Sequence, residues 1–331
     1  MLNIGIVGCG YWGKNLYRDF SATAGCAVTW AVDREPGALD FVDPASGTKL
    51  THDLRMAITD NQVDAIVVAT PSLWHYEHAS IALESGKHVF IEKPMALNYA
   101  HAQELVKIAE RKNRVLQVDH LMVYHPAVEA LLKMIHGGLY SFGLRGMHTQ
   151  RLCAKVRTSE NVLWSLGPHD VAVALEMFAA EPLSVRAYGH QPKVAPPPKN
   201  RKGDFVPTDD GRRIEDAVFL HLEFPRERFA HLHLSWLEHI KIRRMIVVGE
   251  HATAIHNDCD NSLLFHYGNS SVTEPLAQES PLKRACKHFI DCCSNGHQAL
   301  TNGHKSLRVM EVLEMAQRDL DEQEKDYGIS Q

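Results

Sequence analysis

Short apolar runs that alternate with helical segments dominate the first 120 residues, and they narrow the possible folds more than any other feature. Runs rich in Val and Ile, each long enough for one β-strand, span residues 2–7, 27–32, 65–69, 88–91 and 115–118. Segments with helical spacing lie between them, at 14–20, 75–85 and 99–111. Strands separated by helices predict βαβ units, so residues 1–120 are expected to form an α/β domain with a doubly wound parallel sheet.

The pattern changes after a helical segment at 126–135. Strand-like runs then follow one another with few helices between them, at 184–189, 217–224, 229–236, 245–249 and 253–256. We therefore expect residues 121–331 to form an α+β domain with an open-faced, mostly antiparallel sheet. The last helical segments, 282–293 and 306–322, are expected to pack against one of the two domains. Residues 192–213 hold five prolines, which predicts a long loop, either a tolerated insertion or a substrate lid.

Length and charge exclude several classes of protein. A chain of 331 residues exceeds the usual size of one hydrophobic core, which favours two domains. The formal charge of -5 argues against binding to nucleic acid or to an anionic membrane. The chain has no apolar run of about 18 residues and no basic segment at its start, so we expect neither a membrane span nor a signal peptide. Seven cysteines without paired spacing fit a reducing, cytoplasmic environment.

The first strand runs directly into a glycine-rich segment, Gly8-Cys9-Gly10-Tyr11-Trp12-Gly13, and a helix follows. In a Rossmann domain these three glycines allow a tight turn, close approach of a pyrophosphate, and close packing of helix against strand. We expect Tyr11 and Trp12 to contribute their backbone N–H groups to the phosphates.

An acidic residue, Asp33, ends the second strand 20 positions after Gly13, where a carboxylate can bind the hydroxyls of an adenosine ribose. A carboxylate there would repel a 2′-phosphate, so NAD is the expected cofactor. The neighbouring Arg34 leaves NADP open, because an arginine can accept that phosphate.

Four ordered motifs make the chain resemble the Gfo/Idh/MocA family of sugar and cyclitol dehydrogenases. The motifs are the glycine-rich segment, Thr70-Pro71 with His75, Glu92-Lys93-Pro94, and Gly167-Pro168-His169-Asp170. The resemblance implies an NAD-binding Rossmann domain, a substrate-binding and oligomerisation domain, and cofactor contacts from Thr70, Pro71, His75, Glu92 and Lys93. It also implies a homodimer or homotetramer.

Residues 118–128 and 162–170 resemble, within that family, dehydrogenases that oxidise the 3-hydroxyl of a nucleotide sugar. The implied reaction is NAD-dependent oxidation of a UDP-amino sugar, UDP-N-acetylglucosamine in particular, to a 3-keto sugar. An aminotransferase would then use that product in making the 3-amino sugar of lipid A.

Alcohol oxidation needs a base beside the reacting hydroxyl, and two residues are expected to be catalytic. Lys93 follows a strand at the edge where parallel sheets bind ligands, and it can contact both the cofactor ribose and the substrate. His169 has an ordinary pKa near neutrality and is the preferred base. Many relatives carry an Asp four residues before this histidine, where the present chain has Ser165.

The remaining candidates would contact the substrate. Arg151, Arg157 and the nearby Lys155 could bind its diphosphate, or could form an ordinary solvated stretch. His120, Tyr124, Ser165 and Asp170 are further candidates, although Tyr124 could equally be a packing residue. We predict no metal site, because the histidines and cysteines lack metal-ligand spacing. Most of the 21 histidines have no assignable chemistry.

Two other enzymatic functions and one non-enzymatic function remain open. The chain could act on UDP-N-acetylglucosaminuronate, or could be a sugar 3-ketoreductase. It could also be a non-catalytic regulator that senses a dinucleotide, since Ser165 replaces a residue that many catalytic relatives have. Lys93 and His169 favour an enzyme.

Overall fold

Two separate stretches of chain build the first of two compact units. The computed structural model describes residues 1–137, 142–154, 160–190 and 215–326. The first unit contains residues 1–125 and 279–308, and the second contains residues 126–278 and those from 309 onward. Lys155, Arg157 and the predicted loop at 192–213 lie outside the described residues.

The first unit is built on a six-stranded sheet. Its strands are β1 (Leu2–Val7), β2 (Cys26–Val32), β3 (Lys49–Thr51), β4 (Ala65–Val68), β5 (His88–Ile91) and β6 (Leu116–Val118). The spatial order is β3-β2-β1-β4-β5-β6, and every neighbouring pair is parallel. The predicted doubly wound sheet is therefore confirmed. The order reverses between β1 and β4, which is where such sheets bind ligands.

Eight α-helices occur in the described part of the chain. They are α1 (Tyr11–Ser21), α2 (Leu54–Thr59), α3 (His75–Glu84), α4 (Tyr99–Lys112), α5 (Pro126–His136), α6 (Val162–Phe178), α7 (Pro281–Asn295) and α8 (Gly303–Asp326). The pattern at 75–85 and 99–111 predicted α3 and α4 within one residue at each end. It did not reveal β3 or α2, which are too short to establish a period. None of these helices is both long enough and apolar enough to cross a bilayer.

Helix α7 belongs to the first unit although it lies about 160 residues beyond β6. Its Phe289 meets Phe90 of β5 at a centroid distance of 5.6 Å and Phe20 of α1 at 6.1 Å, both edge to face. All three rings are fully buried. Replacing one such ring by Ala typically costs about 3–5 kcal/mol, so this cluster holds α7 against the six-stranded sheet.

An eight-stranded sheet forms the second unit. Its strands are β7 (Gly146–Leu152), β8 (Ser184–His190), β9 (Ala217–Phe224), β10 (Arg228–Ser235), β11 (Ile242–Val248), β12 (Thr253–Asn257), β13 (Ser262–Tyr267) and β14 (Ser270–Thr273). Their order is β14-β13-β12-β11-β7-β10-β9-β8. Among the strands in the described ranges, β7 and β10 alone pair in parallel, so the mostly antiparallel sheet is confirmed.

The two faces of this second sheet differ sharply. Helix α6 packs against β7, β9 and β10, and the residues of β9 on that face, Leu220 and Leu222, are buried. The residues that alternate with them point to the opposite face, where Phe219 is 52% exposed and Tyr188 is 60% exposed. This period of two is the pattern expected of a sheet covered on one side.

Candidate active site

The glycine-rich segment forms the turn between β1 and α1, and its three glycines differ in what surrounds them. Gly8 has a φ of +91°, and a Cβ there would lie 2.5 Å from the backbone of Ala69. A Cβ on Gly13 would lie 1.8 Å from the carbonyl oxygen of Gly8. By contrast, no described atom lies within 4 Å of the Cβ position of Gly10. The first and third glycines are therefore required by the fold, and the second leaves open space.

Helix α1 starts above that open space. Gly10 is its N-cap residue, and no side chain in the described ranges caps this end of the helix. The first-turn N–H groups and the positive end of the helix dipole suit a phosphate anion. The start of the helix and the open space at Gly10 are compatible with the pyrophosphate of a dinucleotide. The cofactor contacts of Gly8, Gly10, Tyr11, Trp12 and Gly13 remain predictions.

Asp33 lies at the end of β2, beside the glycine-rich segment. One carboxylate oxygen accepts a hydrogen bond from the backbone N–H of Cys9 at 2.7 Å, and the other accepts one from Glu35 at 2.9 Å. These bonds hold the carboxylate at the edge of the sheet, where its remaining lone pairs can accept ribose hydroxyls. The guanidinium of Arg34 lies 5.0 Å from the ring centre of Trp74, in cation–π contact.

The turn after β4 is tied to the turn after β5 by a buried histidine. His75 Nδ1 lies 2.7 Å from the carbonyl oxygen of Pro94, and its Nε2 lies 2.8 Å from the carbonyl oxygen of Thr70. Pro71 precedes a short 3-10 turn, Ser72–Trp74, that leads into α3. His75 thus links Thr70 to the loop that contains Pro94.

Lys93 follows β5 at the carboxyl edge of the sheet, and the Lys93–Pro94 peptide bond is cis. The preceding Glu92 forms a side-chain hydrogen bond with Asp119, which directly follows β6. The indole N–H of Trp12 donates to Asp119 Oδ2 at 3.4 Å. Burial raises the pKa of both carboxyl groups, and the pKa of Glu92 is raised further by the charge of Asp119.

His120 and Tyr124 are both buried in the first unit and both have hydrogen-bond partners. His120 Nε2 lies 3.1 Å from Ser306 Oγ, and burial lowers the pKa of His120 to about 3, with a smaller effect of the charge of Lys93. The hydroxyl of Tyr124 lies 3.0 Å from Thr301 Oγ1, and burial raises its pKa. Their predicted substrate contacts remain predictions.

In the second unit, His169 lies within α6, eight residues into the helix. Asn161 caps that helix by accepting a hydrogen bond from Trp164 N at 3.1 Å. Ser165 precedes His169 by one helical turn and is 4% exposed. The spacing of four residues puts both side chains on one face of α6.

Asp170 and Arg151 are paired with each other. The guanidinium of Arg151 donates to Asp170 Oδ1 from Nη2 at 2.6 Å and from Nε at 3.2 Å, and Thr149 Oγ1 donates to Oδ2 at 3.0 Å. The side chains of the ion pair are 12% and 5% exposed. Such a buried pair is costly to break, because one charge is then left unpaired. Arg157, the other predicted diphosphate ligand, lies outside the described residues.

The Glu92–Asp119 pair is the feature that sequence reasoning did not assemble. A signal was present, because each carboxylate directly follows a predicted strand, at residues 91 and 118. Only the strand order makes those strands neighbours.

A six-stranded parallel sheet, a glycine-rich turn and an acidic residue after β2 define a dinucleotide-binding oxidoreductase fold. Two family models match the chain, one after the other along the sequence. Residues 2–120 match the oxidoreductase family model with an NAD-binding Rossmann fold, and residues 134–255 match the Gfo/Idh/MocA C-terminal domain. The chain belongs to the Gfo/Idh/MocA family, as its four motifs predicted.

Relatives in this family differ in activity. The chain is 28% identical over 190 residues to UDP-N-acetylglucosamine 3-dehydrogenase of Acidithiobacillus ferrooxidans, covering 57% of this chain and 58% of the relative. It is 26% identical over 263 residues to 2,7-anhydro-N-acetylneuraminate hydratase of Escherichia coli, covering 73% of this chain and 65% of that relative. The matched regions thus span less than two thirds of either relative's length.

A solved structure extends the likeness over nearly the whole fold. The UDP-N-acetylglucosamine 3-dehydrogenase of Acidithiobacillus ferrooxidans superimposes with a TM-score of 0.82 at 21% identity, covering 97% of this chain and 98% of the other. At that identity the likeness concerns the fold alone.

Proposed function

We propose that the chain is an NAD-dependent dehydrogenase that oxidises the 3-hydroxyl of UDP-N-acetylglucosamine to the 3-keto sugar. The observation that carries the proposal is Lys93, which follows β5 at the carboxyl edge of a sheet whose other turns fit a dinucleotide. The choice of substrate rests on the relative from Acidithiobacillus ferrooxidans.

Each residue then has a distinct task. Bound NAD supplies the hydride acceptor. The first turn of α1 binds its pyrophosphate, and Asp33 binds its adenosine ribose. Lys93 donates hydrogen bonds to the nicotinamide ribose and to the substrate oxygen, where negative charge develops as the proton leaves. His169 accepts the hydroxyl proton as general base.

We expect NAD to be preferred over NADP, because a carboxylate at the end of the second strand, here Asp33, would repel a 2′-phosphate. Arg34, the residue that could offset this charge, has its guanidinium against the ring of Trp74. Titrating both cofactors under the same conditions tests this preference, and tighter binding of NADP would contradict it.

The substrate test is oxidation of a panel of nucleotide sugars. Purified protein with NAD should form NADH when UDP-N-acetylglucosamine is added, with less or none from UDP-N-acetylglucosaminuronate. Turnover of another nucleotide sugar alone would overturn the substrate and keep the dehydrogenase.

The Lys93→Ala variant separates an enzyme from a dinucleotide-sensing regulator. We expect it to bind NAD and to lose at least about 100-fold in kcat, the scale on which proton transfer and positioned charge contribute to catalysis. A protein that binds NAD but shows no turnover with any substrate before the substitution would instead be a regulator.

We also infer a homo-oligomer, built through the face of the second sheet opposite α6. The exposed Phe219 and Tyr188 on that face support this arrangement, since such patches usually mark an interface. The 3-keto product would be the substrate of an aminotransferase. The cytoplasm is the expected location, in line with unpaired cysteines across the described ranges.

A further inference from the structure

The register of two neighbouring strands places two acids side by side next to Lys93. Ile91 and Val118 are partners at the ends of β5 and β6, so Glu92 and Asp119 are the next residues on each strand. The backbone of Asp119 donates to the carbonyl oxygen of Ile91 at 2.8 Å, which keeps the two chains in register past the last strand pair.

The two side chains are hydrogen bonded to each other, with one oxygen of each group, Glu92 Oε1 and Asp119 Oδ1, fully buried. Two carboxylate oxygens cannot share a hydrogen bond unless one group carries the proton. Two buried carboxylates in contact also cannot both ionise at neutral pH. The pair therefore holds at least one proton, and the other contacts of each group decide which of the two is charged.

The surroundings place the proton on Glu92 and the charge on Asp119. Burial and the charge of Asp119 raise the pKa of Glu92 well above its usual range. Burial also raises the pKa of Asp119, but three contacts favour its charged form: the hydrogen bond from Glu92, the indole N–H of Trp12, and the charge of Lys93.

The other titratable groups that face Asp119 are neutral at pH 7. His120 is kept neutral by burial, with a pKa of about 3, and its Nε2 contacts Ser306. Burial raises the pKa values of the Tyr124 hydroxyl and the Cys286 thiol, so both keep their protons. Among the described residues of this cluster, Lys93 is the cation and the carboxyl pair is its counter-charge.

We propose that Glu92 and Asp119 act as one pair of positioning residues, which holds a single proton and a single negative charge and keeps Lys93 a cationic hydrogen-bond donor. The proposal rests on the function proposed above and extends it. Lys93 then stabilises negative charge on the reacting oxygen, and the proton leaves to another group, His169. Asp119 also links Lys93 to the glycine-rich segment through Trp12.

Matched substitutions in the pair test this assignment. Asp119→Asn removes the negative charge, whereas Glu92→Gln keeps a donor to Asp119 and leaves the charge in place. Because a nearby opposite charge favours the protonated form of a lysine, removing it should lower the pH at which Lys93 loses its proton by about one unit or more. Glu92→Gln should move that pH less than half as far.

The readout does not require turnover. Brief acetylation with acetic anhydride at a series of pH values, followed by mass spectrometry of the Lys93 peptide, gives the pH of half-maximal reactivity. We expect this pH to fall in Asp119→Asn and to stay close to the unsubstituted protein in Glu92→Gln. No shift in Asp119→Asn, or equal shifts in both variants, overturns the proposal. Should Asp119→Asn not fold, Asp119→Ser gives the same comparison, since a water can occupy the vacated volume.

The same variants separate this proposal from the function on which it rests. If the enzyme oxidises a nucleotide sugar, the alkaline limb of kcat/KM should move with the Lys93 reactivity in Asp119→Asn. If the reactivity of Lys93 shifts in Asp119→Asn but the unsubstituted protein oxidises no nucleotide sugar, the charge pair is supported and the dehydrogenase activity is rejected. If the protein is active and Asp119→Asn leaves the pH profile of kcat/KM unchanged, the proposed role of the pair is rejected.

Discussion

Steric space around single residues separates the parts of the glycine-rich segment that serve the fold from the part that serves the cofactor. Gly8 and Gly13 have backbone atoms where a Cβ would go. Gly10 faces open space. The same motif therefore combines a packing requirement with a binding requirement, and a single added methyl group can tell them apart.

Gly10→Ala and Gly13→Ala should affect different properties, NAD affinity in the first variant and thermal stability in the second. Gly10→Ala should leave the thermal midpoint within about 2 °C and weaken NAD binding at least about tenfold, because the methyl group fills the space that a phosphate needs. Gly13→Ala should lower the melting temperature, because its Cβ would lie 1.8 Å from the carbonyl oxygen of Gly8. Thermal melting and NAD titration of both variants check this. Equal NAD affinity in Gly10→Ala and the unsubstituted protein would contradict it.

Strand ends are the elements on which the candidate site depends. Asp33 follows β2, Glu92 and Lys93 follow β5, and Asp119 follows β6, all at one edge of the parallel sheet. At the opposite edge, His88 begins β5, and its Nδ1 accepts a hydrogen bond from the backbone N–H of Val115 at 2.9 Å. The candidate site residues thus lie at one edge of the sheet, and the opposite edge has a contact that holds two strands in place.

The His88 contact predicts a pH dependence of stability. Burial lowers the pKa of His88 to about 4, with a smaller effect from the charge of Arg114. An unfolded histidine titrates near 6.5, so between these values the unfolded chain binds the extra proton. Stability should therefore fall as the pH drops from about 6.5 towards 4, by up to about 1.4 kcal/mol per pH unit.

His88→Asn should reduce the slope of unfolding free energy against pH in that window by about one proton. Denaturant unfolding at several pH values measures the slope. His251→Asn, at a side chain that is 80% exposed, is the matched control and should leave it unchanged. A slope that is the same in both variants would show that His88 does not hold the neutral form.

At the scale of the whole molecule, several histidines lie together on the face of the second sheet opposite α6. Cross-strand pairing sets Arg186 beside His221, His221 beside His231, and His231 beside His148. Ring centroids are 4.8 Å apart for His221 and His231, and 5.2 Å apart for His148 and His231. The row borders a cavity of about 520 Å³ that Tyr188 and Phe219 also line. Part of the high histidine content thus has a place in the fold.

The proposed oligomer should therefore dissociate in acid. Burial lowers the pKa values of His148 and His231, and the neighbouring histidines lower that of His231 further, so these two side chains are uncharged at neutral pH. Protonation would put like charges beside one another and beside Arg186. Sedimentation velocity should show an oligomer at about pH 7.5 and smaller species at about pH 5.5.

Phe219→Asp should give the smaller species already at pH 7.5, because it replaces an exposed apolar side chain of this face by a charge. Met56→Asp, at an equally exposed position on α2 of the first unit, should not. An oligomer that survives both Phe219→Asp and acid would assign the interface to another surface.

The sequence by itself determined the βαβ alternation, the glycine-rich turn, Asp33 at the end of β2, and the motif around Lys93. These features depend on residues close together in the chain, where hydrophobic period and turn chemistry act. Strands and helices of only a few residues, such as β3 and α2, were not predictable because each contains fewer than two repeats of the relevant period.

Tertiary structure alone decided which distant residues meet. It returned α7 to the first unit, paired Arg151 with Asp170, aligned three histidines across β9, β10 and β7, and set Asp119 against Glu92. Strand order and register fix these contacts, and both follow from the packing of the whole core rather than from any local pattern. For that reason the motif predicted Lys93, while the acids that we propose control its charge appeared only in the folded chain.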